Sequence, residues 1–311
     1  MLRIGTDCSG IEAPIEALKQ LGIPFEHKWA CEIDRFARTS ILANYQPEII
    51  YEDITKRDNS ELPDIDIYVC GFPCQSFSLM GKKLGSNDPR GNIMMHCIDV
   101  IKKKQPSIFI LENVKNFKFI EKGKPFNFLI DELASIVNDD EDIAYNVYND
   151  LLNTRDYGIP QNRERIFIIG IRKDIEKEPY LKPEKLPLRD LDDFIIDKTI
   201  CNINICKSLQ KNLNKIKIDN TYKKNHIVTP FTYYSIMNNM TPTLTLAGCK
   251  YMYHTTYKRY LLPKECLLLQ GFSSDFINVV GDVELCKQIG NSMSVNVLKA
   301  LIEKIYTITN L

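Results

Sequence analysis

No apolar run in the sequence approaches the ~20 residues that a membrane-spanning helix needs, so nothing reads as a span. The first residues, MLRIGTDCSG, lack the basic start, apolar middle and small-residue cleavage site of a secretory signal. Cysteine is plentiful, ten in 311 residues, but no two are spaced C-x-x-C. The four histidines (His27, His96, His226 and His254) stand apart, so zinc-type ligand spacing is missing and no metal is expected. Scattered cysteines without secretion features read as reduced thiols. The expected setting is therefore cytoplasmic in a prokaryote or phage-infected cell, or nuclear in a eukaryote. Internal repeats and low-complexity tracts are also missing.

Net charge is zero, which hides an asymmetry. Residues 198–260 hold ten Lys/Arg and a single acid, Asp219, leaving 30 basic and 39 acidic residues elsewhere. A segment near +9 in a chain otherwise near −9 suggests a footprint for a polyanion. A solvated lysine-rich surface is the plainer alternative. Eight aromatic residues and eight asparagines share the segment, which tilts the balance towards nucleic acid.

The first half alternates short apolar runs with helical spacing. RIGTD (3–7), HKWACEID (27–34), DIYVCGF (66–72) and SIFILENV (107–114) read as strands, as do AYNVYNDLL (144–152) and RIFIIGIR (165–172). Between them, 11–21, 35–45 and 92–104 have helical spacing, the last two stopping before Pro47 and Pro106. This alternation predicts an α/β fold with a mainly parallel sheet covered on both faces. Ligands of such sheets sit beyond the carboxyl ends of the strands, where Asp7–Gly10, Glu32, Cys74 and Glu112 fall. After Lys173 a proline-spaced connector leads into the basic stretch, expected to be small, irregular and β-rich. The last 25 residues return to a helical pattern.

In GFPCQSFS, Cys70 belongs to the apolar run and is expected to pack in the core. Cys74 follows a proline at the strand end, where a nearby helix N-terminus or cation lowers a thiol's pKa. Taken singly, Cys74 would more often be an inert thiol, Glu112 of LENV a helix cap, and Arg163 with Arg165 surface charge. The arginines, two apart, are expected on one side of an entering strand.

Together and in order, these motifs resemble the DNA cytosine-5 methyltransferase family, of the bacterial and phage restriction-modification type, over nearly the whole chain. GFPCQSFS is similar to its nucleophile motif, ENV to its acid motif and QNRER to its arginine motif. RYLLPKECLLLQGF (259–272) and QIGNSMSVNV (288–297) are similar to its two late motifs. The resemblance implies a Rossmann-like S-adenosylmethionine-dependent sheet with helices on both faces. Residues 1–185 and 286–311 would form the catalytic domain and 186–285 a small β-rich target-recognition domain. It also implies that the chain transfers methyl from S-adenosyl-L-methionine to C5 of a flipped-out cytosine, releasing S-adenosyl-L-homocysteine. Cys74 would add to C6, and Glu112, keeping its proton in a dry pocket, would bond N3. Arg165 would hold the base, Arg163 would support the pocket and Asn113 would orient the acid.

By the same resemblance, Asp7, Cys8, Ser9, Gly10 and Ile11 form the cofactor loop. Glu32 with Ile33 binds the ribose side, Asp53 with Ile54 the adenine amino group, and Pro73, Asn291 and Ser292 complete the cofactor residues. A strand-end carboxylate for Glu32 and a turn residue for Asp53 are the plainer readings. The loop departs from the family's usual form: Thr6 stands where an acid is usual, Cys8 where phenylalanine is, and Glu12-Ala13 where glycines are. Ser78, Lys82 and Arg90 in a closing loop, with Thr243 and Thr245 of PTLTLAG, are candidate DNA contacts. Double-stranded DNA is the expected partner, a cognate restriction endonuclease a further one, and the chain a monomer. Two other readings stand beside this one: a tRNA methyltransferase of the same family, and a catalytically silent DNA-binding relative. The sequence names neither the target site nor the base-reading residues.

Overall fold

The computed structural model describes residues 1–73, 93–201, 203–218, 226–230, 236–245 and 248–309. Two compact units emerge: Met1–Leu152 with Glu164–Glu184 and Leu298–Leu311, and Asn153–Arg163 with Lys185–Val297. The second takes in 153–163 and 286–297, stretches that the division at 185 and 286 assigned to the catalytic part.

The first unit follows the alternation of its sequence: β1 (Leu2–Asp7), α1 (Ala13–Leu21), β2 (Phe25–Cys31), α2 (Arg35–Asn44), β3 (Ile49–Tyr51) and β4 (Ile67–Cys70). Next come α3 (Ile93–Lys104), β5 (Ile108–Val114), α4 (Lys124–Ala134) and β6 (Tyr145–Asn153). After a two-residue β7 (Gln161–Asn162), which pairs elsewhere, β8 (Glu164–Arg172) completes a seven-stranded sheet in the order β3-β2-β1-β4-β5-β8-β6. β1, β2, β3, β4 and β5 pair in parallel, and β8 runs antiparallel to β5.

Strand side chains alternate in direction, yet β4 is buried at all four positions, so both faces of the sheet are covered. On one face Tyr68, Cys70, Phe109, Leu111, Ile166 and Ile168 pack with Met94, Cys97 and Ile101 of α3 and Leu129 and Leu133 of α4. Helix α2 starts where Asp34 accepts hydrogen bonds from the amides of Phe36 and Ala37, at 2.8 and 3.1 Å. Gly170 is required: a Cβ there would come within 2.0 Å of the Phe109 ring.

The second unit carries α5 (Lys207–Ile218), β9 (His226–Val228), β10 (Ile236–Asn238), β11 (Thr241–Pro242), β12 (Tyr253–His254) and β13 (Arg259–Tyr260). Two helices follow, α6 (Pro263–Leu269) and α7 (Asp282–Asn291). The antiparallel sheet β10-β9-β12-β13 is built of strands two or three residues long, and β11 pairs in parallel with β7. Leu209 of α5, Val228 and Tyr253 form its small core with Ile205, Leu213, Ile236 and Tyr260 around them. The last helix, α8 (Val295–Ile308), returns the chain to the first unit.

Candidate active site

The carboxyl ends of β1, β2, β3, β4 and β5 and the entering end of β8 carry the candidate residues of the first unit. Register does the first part. Val114 pairs with Arg165 and Glu112 with Phe167, so Arg165 and Glu112 are diagonal neighbours on one face. Arg165 Nε lies 3.1 Å from Glu112 Oε1, with both side chains largely buried. Arg165 also donates from Nη1 to the carbonyl of Glu164, at 2.8 Å.

Asn113 faces the opposite way and works on the backbone. Its Nδ2 donates to the carbonyl of Phe72 at 3.0 Å, while its Oδ1 accepts from the amide of Val114 at 2.8 Å. The side chain expected to orient the acid thus clamps the segment two residues before Cys74. Phe72 is buried and packs edge-on against Phe117, ring centroids 5.5 Å apart. Pro73 is exposed. Cys74, Ser78, Lys82 and Arg90 lie outside the described residues.

Arg163 makes different contacts from those of Arg165. It precedes β8 and belongs to the second unit, where its buried guanidinium donates to the carbonyls of Leu244 (2.8 Å), Gly290 (3.3 Å) and Ser292 (2.7 Å). It ties together two backbone segments of that unit, one at 244 and one at 290–292. Ser292 is buried, whereas Asn291, at the end of α7, is exposed. Thr243 donates its hydroxyl to the Asn162 carbonyl at 2.7 Å. Exposed Thr245 accepts from the amide of Gly248 at 3.0 Å.

The loop after β1 has positive φ at Cys8 (49°), Gly10 (58°) and Glu12 (62°). The Gly10 amide donates to Glu32 Oε2 at 2.8 Å, and the Asp34 amide to Oε1 at 2.9 Å. Burial nevertheless pushes the Glu32 carboxyl up. Ile33 beside it is 75% exposed, an apolar surface next to a strand-end carboxylate. Asp53 caps a short turn, Oδ1 accepting from the Thr55 amide and hydroxyl at 2.9 and 2.7 Å. Burial works to raise its pKa, but the Thr55 bonds and nearby Lys56 outweigh it and hold the carboxyl below its usual value. Ile11 and Ile54 are buried core residues. A half-buried carboxylate, an exposed aliphatic side chain, a second carboxylate and a glycine without a Cβ fit a nucleoside with an amino-acid tail. They suit S-adenosyl-L-methionine.

Asp7 serves differently. Its carboxylate, fully buried, receives Arg57 Nη1 and Nη2 at 2.6 and 2.5 Å, Tyr68 Oη at 2.6 Å and Trp29 Nε1 at 3.2 Å. That leaves its backbone for a ligand. Sequence reading passed over Arg57; its place shortly after Asp53 was the only signal. Cys8 lies against Cys70, and Cys70 Sγ is 3.3 Å from Cys97 Sγ. In the second unit buried Cys249 contacts Cys266 and Cys286.

The departures at positions 6 and 12 answer one another. Glu12 is fully buried with Oε1 2.7 Å from Thr6 Oγ1, which also lies 3.3 Å from the Trp29 carbonyl. Ser9 Oγ lies 2.9 Å from Thr6, and His27 Nε2 3.6 Å from Glu12 Oε1. A hydroxyl has one hydrogen, so both Thr6 contacts are satisfied when Glu12 donates to Thr6 and Thr6 donates to Trp29. Burial pushes the Glu12 carboxyl up to about 8 and the His27 imidazole down to about 4. At neutral pH both groups are uncharged and the loop rests on a neutral hydrogen-bond chain.

A carboxylate paired with arginine, a clamped Gly-Phe-Pro segment and a glycine-bearing loop bonded to Glu32 thus stand on one mainly parallel sheet. The chain belongs to the C-5 cytosine-specific DNA methylase family, whose model matches residues 6–307. It is 36% identical over 288 residues to the type II methyltransferase M1.ScrFI of Lactococcus lactis subsp. cremoris, covering 89% of this chain and 71% of that one. To M.SsoII of Shigella sonnei it is 32% identical over 317 residues, covering 98% and 79%. The methyltransferase EhMeth of Entamoeba histolytica shares the fold, with a TM-score of 0.72, 19% identity and coverage of 99% and 98%.

Proposed function

We propose that the chain methylates C5 of one cytosine within a specific double-stranded DNA sequence, through a covalent bond between Cys74 and C6. The observation that carries this is the meeting of Glu112 and Arg165 at 3.1 Å, beside a backbone that Asn113 holds two residues before Cys74.

Cytosine C5 is a weak nucleophile, and inside a stacked duplex it is out of reach, so the base is flipped out. The Cys74 thiolate adds to C6, and as the S–C6 bond forms the C5–C6 π pair shifts to C5, conjugated through C4 to N3. Glu112 shares its proton with N3 and offsets the charge that gathers there. Arg165 holds one Glu112 oxygen and keeps the other turned to the base. Gly10, Glu32, Ile33 and Asp53 would hold S-adenosyl-L-methionine, which supplies the electrophilic methyl and leaves as S-adenosyl-L-homocysteine. Loss of the C5 proton to a base or water then lets the S–C6 bond break, releasing 5-methylcytosine and Cys74. Residues 186–285 carry target recognition, and a restriction endonuclease of the same specificity is the partner this role implies.

The test is labelled methyl transfer into duplex DNA and into tRNA by the wild type and Cys74→Ala, with bisulfite sequencing of DNA from an expressing host. Methylated cytosines at one sequence, lost in Cys74→Ala, are expected. Equal transfer by both proteins would remove Cys74 from the mechanism, and transfer into tRNA alone would remove DNA as the substrate.

A further inference from the structure

Directly after β5, residues 115–124 read KNFKFIEKGK, with four lysines and one acid. Phe117 anchors this stretch. It is fully buried between Phe72 and Phe126, ring centroids 5.5 and 5.9 Å away, so the segment packs against the side chain two residues before Cys74. Two residues on, Phe119 is 62% exposed.

The backbone just beyond Phe119 is held under strain. Glu121 and Lys122 have φ of 48° and 58°, two consecutive left-handed residues neither of which is glycine. Each costs about 1–2 kcal/mol, and such strain persists where the surroundings over-determine it, often at functional sites. Lys115 is paired with Glu164 at 2.9 Å, and Lys118 reaches Asn149 at 3.3 Å and lies over the Phe126 ring. Lys122 and Lys124 are exposed and have no carboxylate at ion-pair distance among the described residues. The result is two uncommitted cations and an exposed aromatic ring on a strap that Phe117 anchors against Phe72, two residues before Cys74.

We propose that residues 118–124 are a DNA-contacting strap of the catalytic unit. Lys122 and Lys124 bind phosphates flanking the target cytosine, and Phe119 packs against a sugar or base of the same flank. The proposal rests on the DNA-methylating reading above. Charge selects this occupant: three lysines against one acid over residues 118–124, with exposed Phe119 among them, match a phosphate backbone. The strap contributes affinity without reading sequence, because lysine contacts to phosphate carry none.

The experiment measures duplex-DNA affinity against salt concentration, and steady-state methylation, for the wild type, Lys122→Gln/Lys124→Gln and Phe119→Ala. Thermal melts check that each variant is folded. Each phosphate contact contributes about 0.9 to the slope of log affinity against log salt. The double variant should therefore lose about 2 from that slope and about tenfold in affinity at low salt. Phe119→Ala should raise KM for DNA about tenfold with kcat little changed. Unchanged slope and affinity in the double variant, with a wild type that binds and methylates DNA, would overturn the strap and leave the surface to a different partner. A wild type that neither binds nor methylates DNA would overturn the underlying reading as well.

Discussion

Replacing Glu12 by glutamine tests whether the cofactor loop stands on an uncharged carboxyl. Burial holds the folded-state pKa at about 8, against 4.5 for the free group. Between those values the folded state keeps a proton that the unfolded state releases, so stability falls as pH rises through the window. At about 1.36 kcal/mol per unit, wild type should lose about 2 kcal/mol between pH 6 and 8 from this group alone. Glutamine is nearly isosteric, donates to Thr6 as the protonated acid does, and does not titrate. The His27 contribution runs the other way. Its pKa is depressed from 6.5 to about 4, so its stabilisation is present above pH 6.5 and lost as pH falls towards 4. Being common to both proteins, it cancels in the difference. Melting wild type and Glu12→Gln from pH 6 to 8.5 is the assay. For a chain of this size the wild type should fall about 3 °C further between pH 6 and 8 than the variant. Identical pH dependence would show that Glu12 does not carry the buried proton.

Other outcomes follow from the same contacts. Arg57→Leu leaves the Asp7 carboxylate buried without its cation and should cost about 3–5 kcal/mol in urea unfolding. Glu112→Gln should lower the rate of methyl transfer by about 10²–10⁴ while duplex-DNA affinity stays near wild type, as expected for a proton-sharing group. Native-state alkylation mapped by mass spectrometry should modify Cys206 well before Cys8, Cys70, Cys97, Cys249 or Cys286. The Ser208 hydroxyl and the Leu209 amide lower the exposed Cys206 thiol's pKa, whereas burial and neighbouring thiols push up those of Cys70, Cys249 and Cys286.

Most strands of the first unit were legible as short apolar runs alternating with helical patterns, and 11–21, 35–45 and 92–104 matched α1, α2 and α3 to within two residues. β3 escaped notice, since three residues at a sheet edge make no periodic signal. So did α5: its apolar Leu209 and Leu213 recur at helical spacing, but the lysines and asparagines between them read as an irregular basic stretch. The sequence reading placed Glu112 and Arg165 in one site without pairing them, and β-register supplies the contact. The partners of Arg163 were not foreseeable. Alternation placed it beside Arg165, yet the strand starts one residue later and its guanidinium is spent on carbonyls 81 to 129 residues away. Thr6 and Glu12 looked like two unrelated departures until the left-handed turn at Glu12 brought one carboxyl back under the other's hydroxyl.

The central claim is that Cys74 forms a bond to C6 of cytosine. DNA copied with 5-fluorocytosine in place of cytosine blocks loss of the C5 substituent, so the adduct accumulates once the methyl has been delivered. Incubated with this DNA and S-adenosyl-L-methionine, the wild type should form a denaturant-stable complex whose cross-linked peptide contains Cys74, and Cys74→Ala should form none. A complex of equal yield in Cys74→Ala, or methylation of normal DNA by a wild type that never cross-links, would contradict the account.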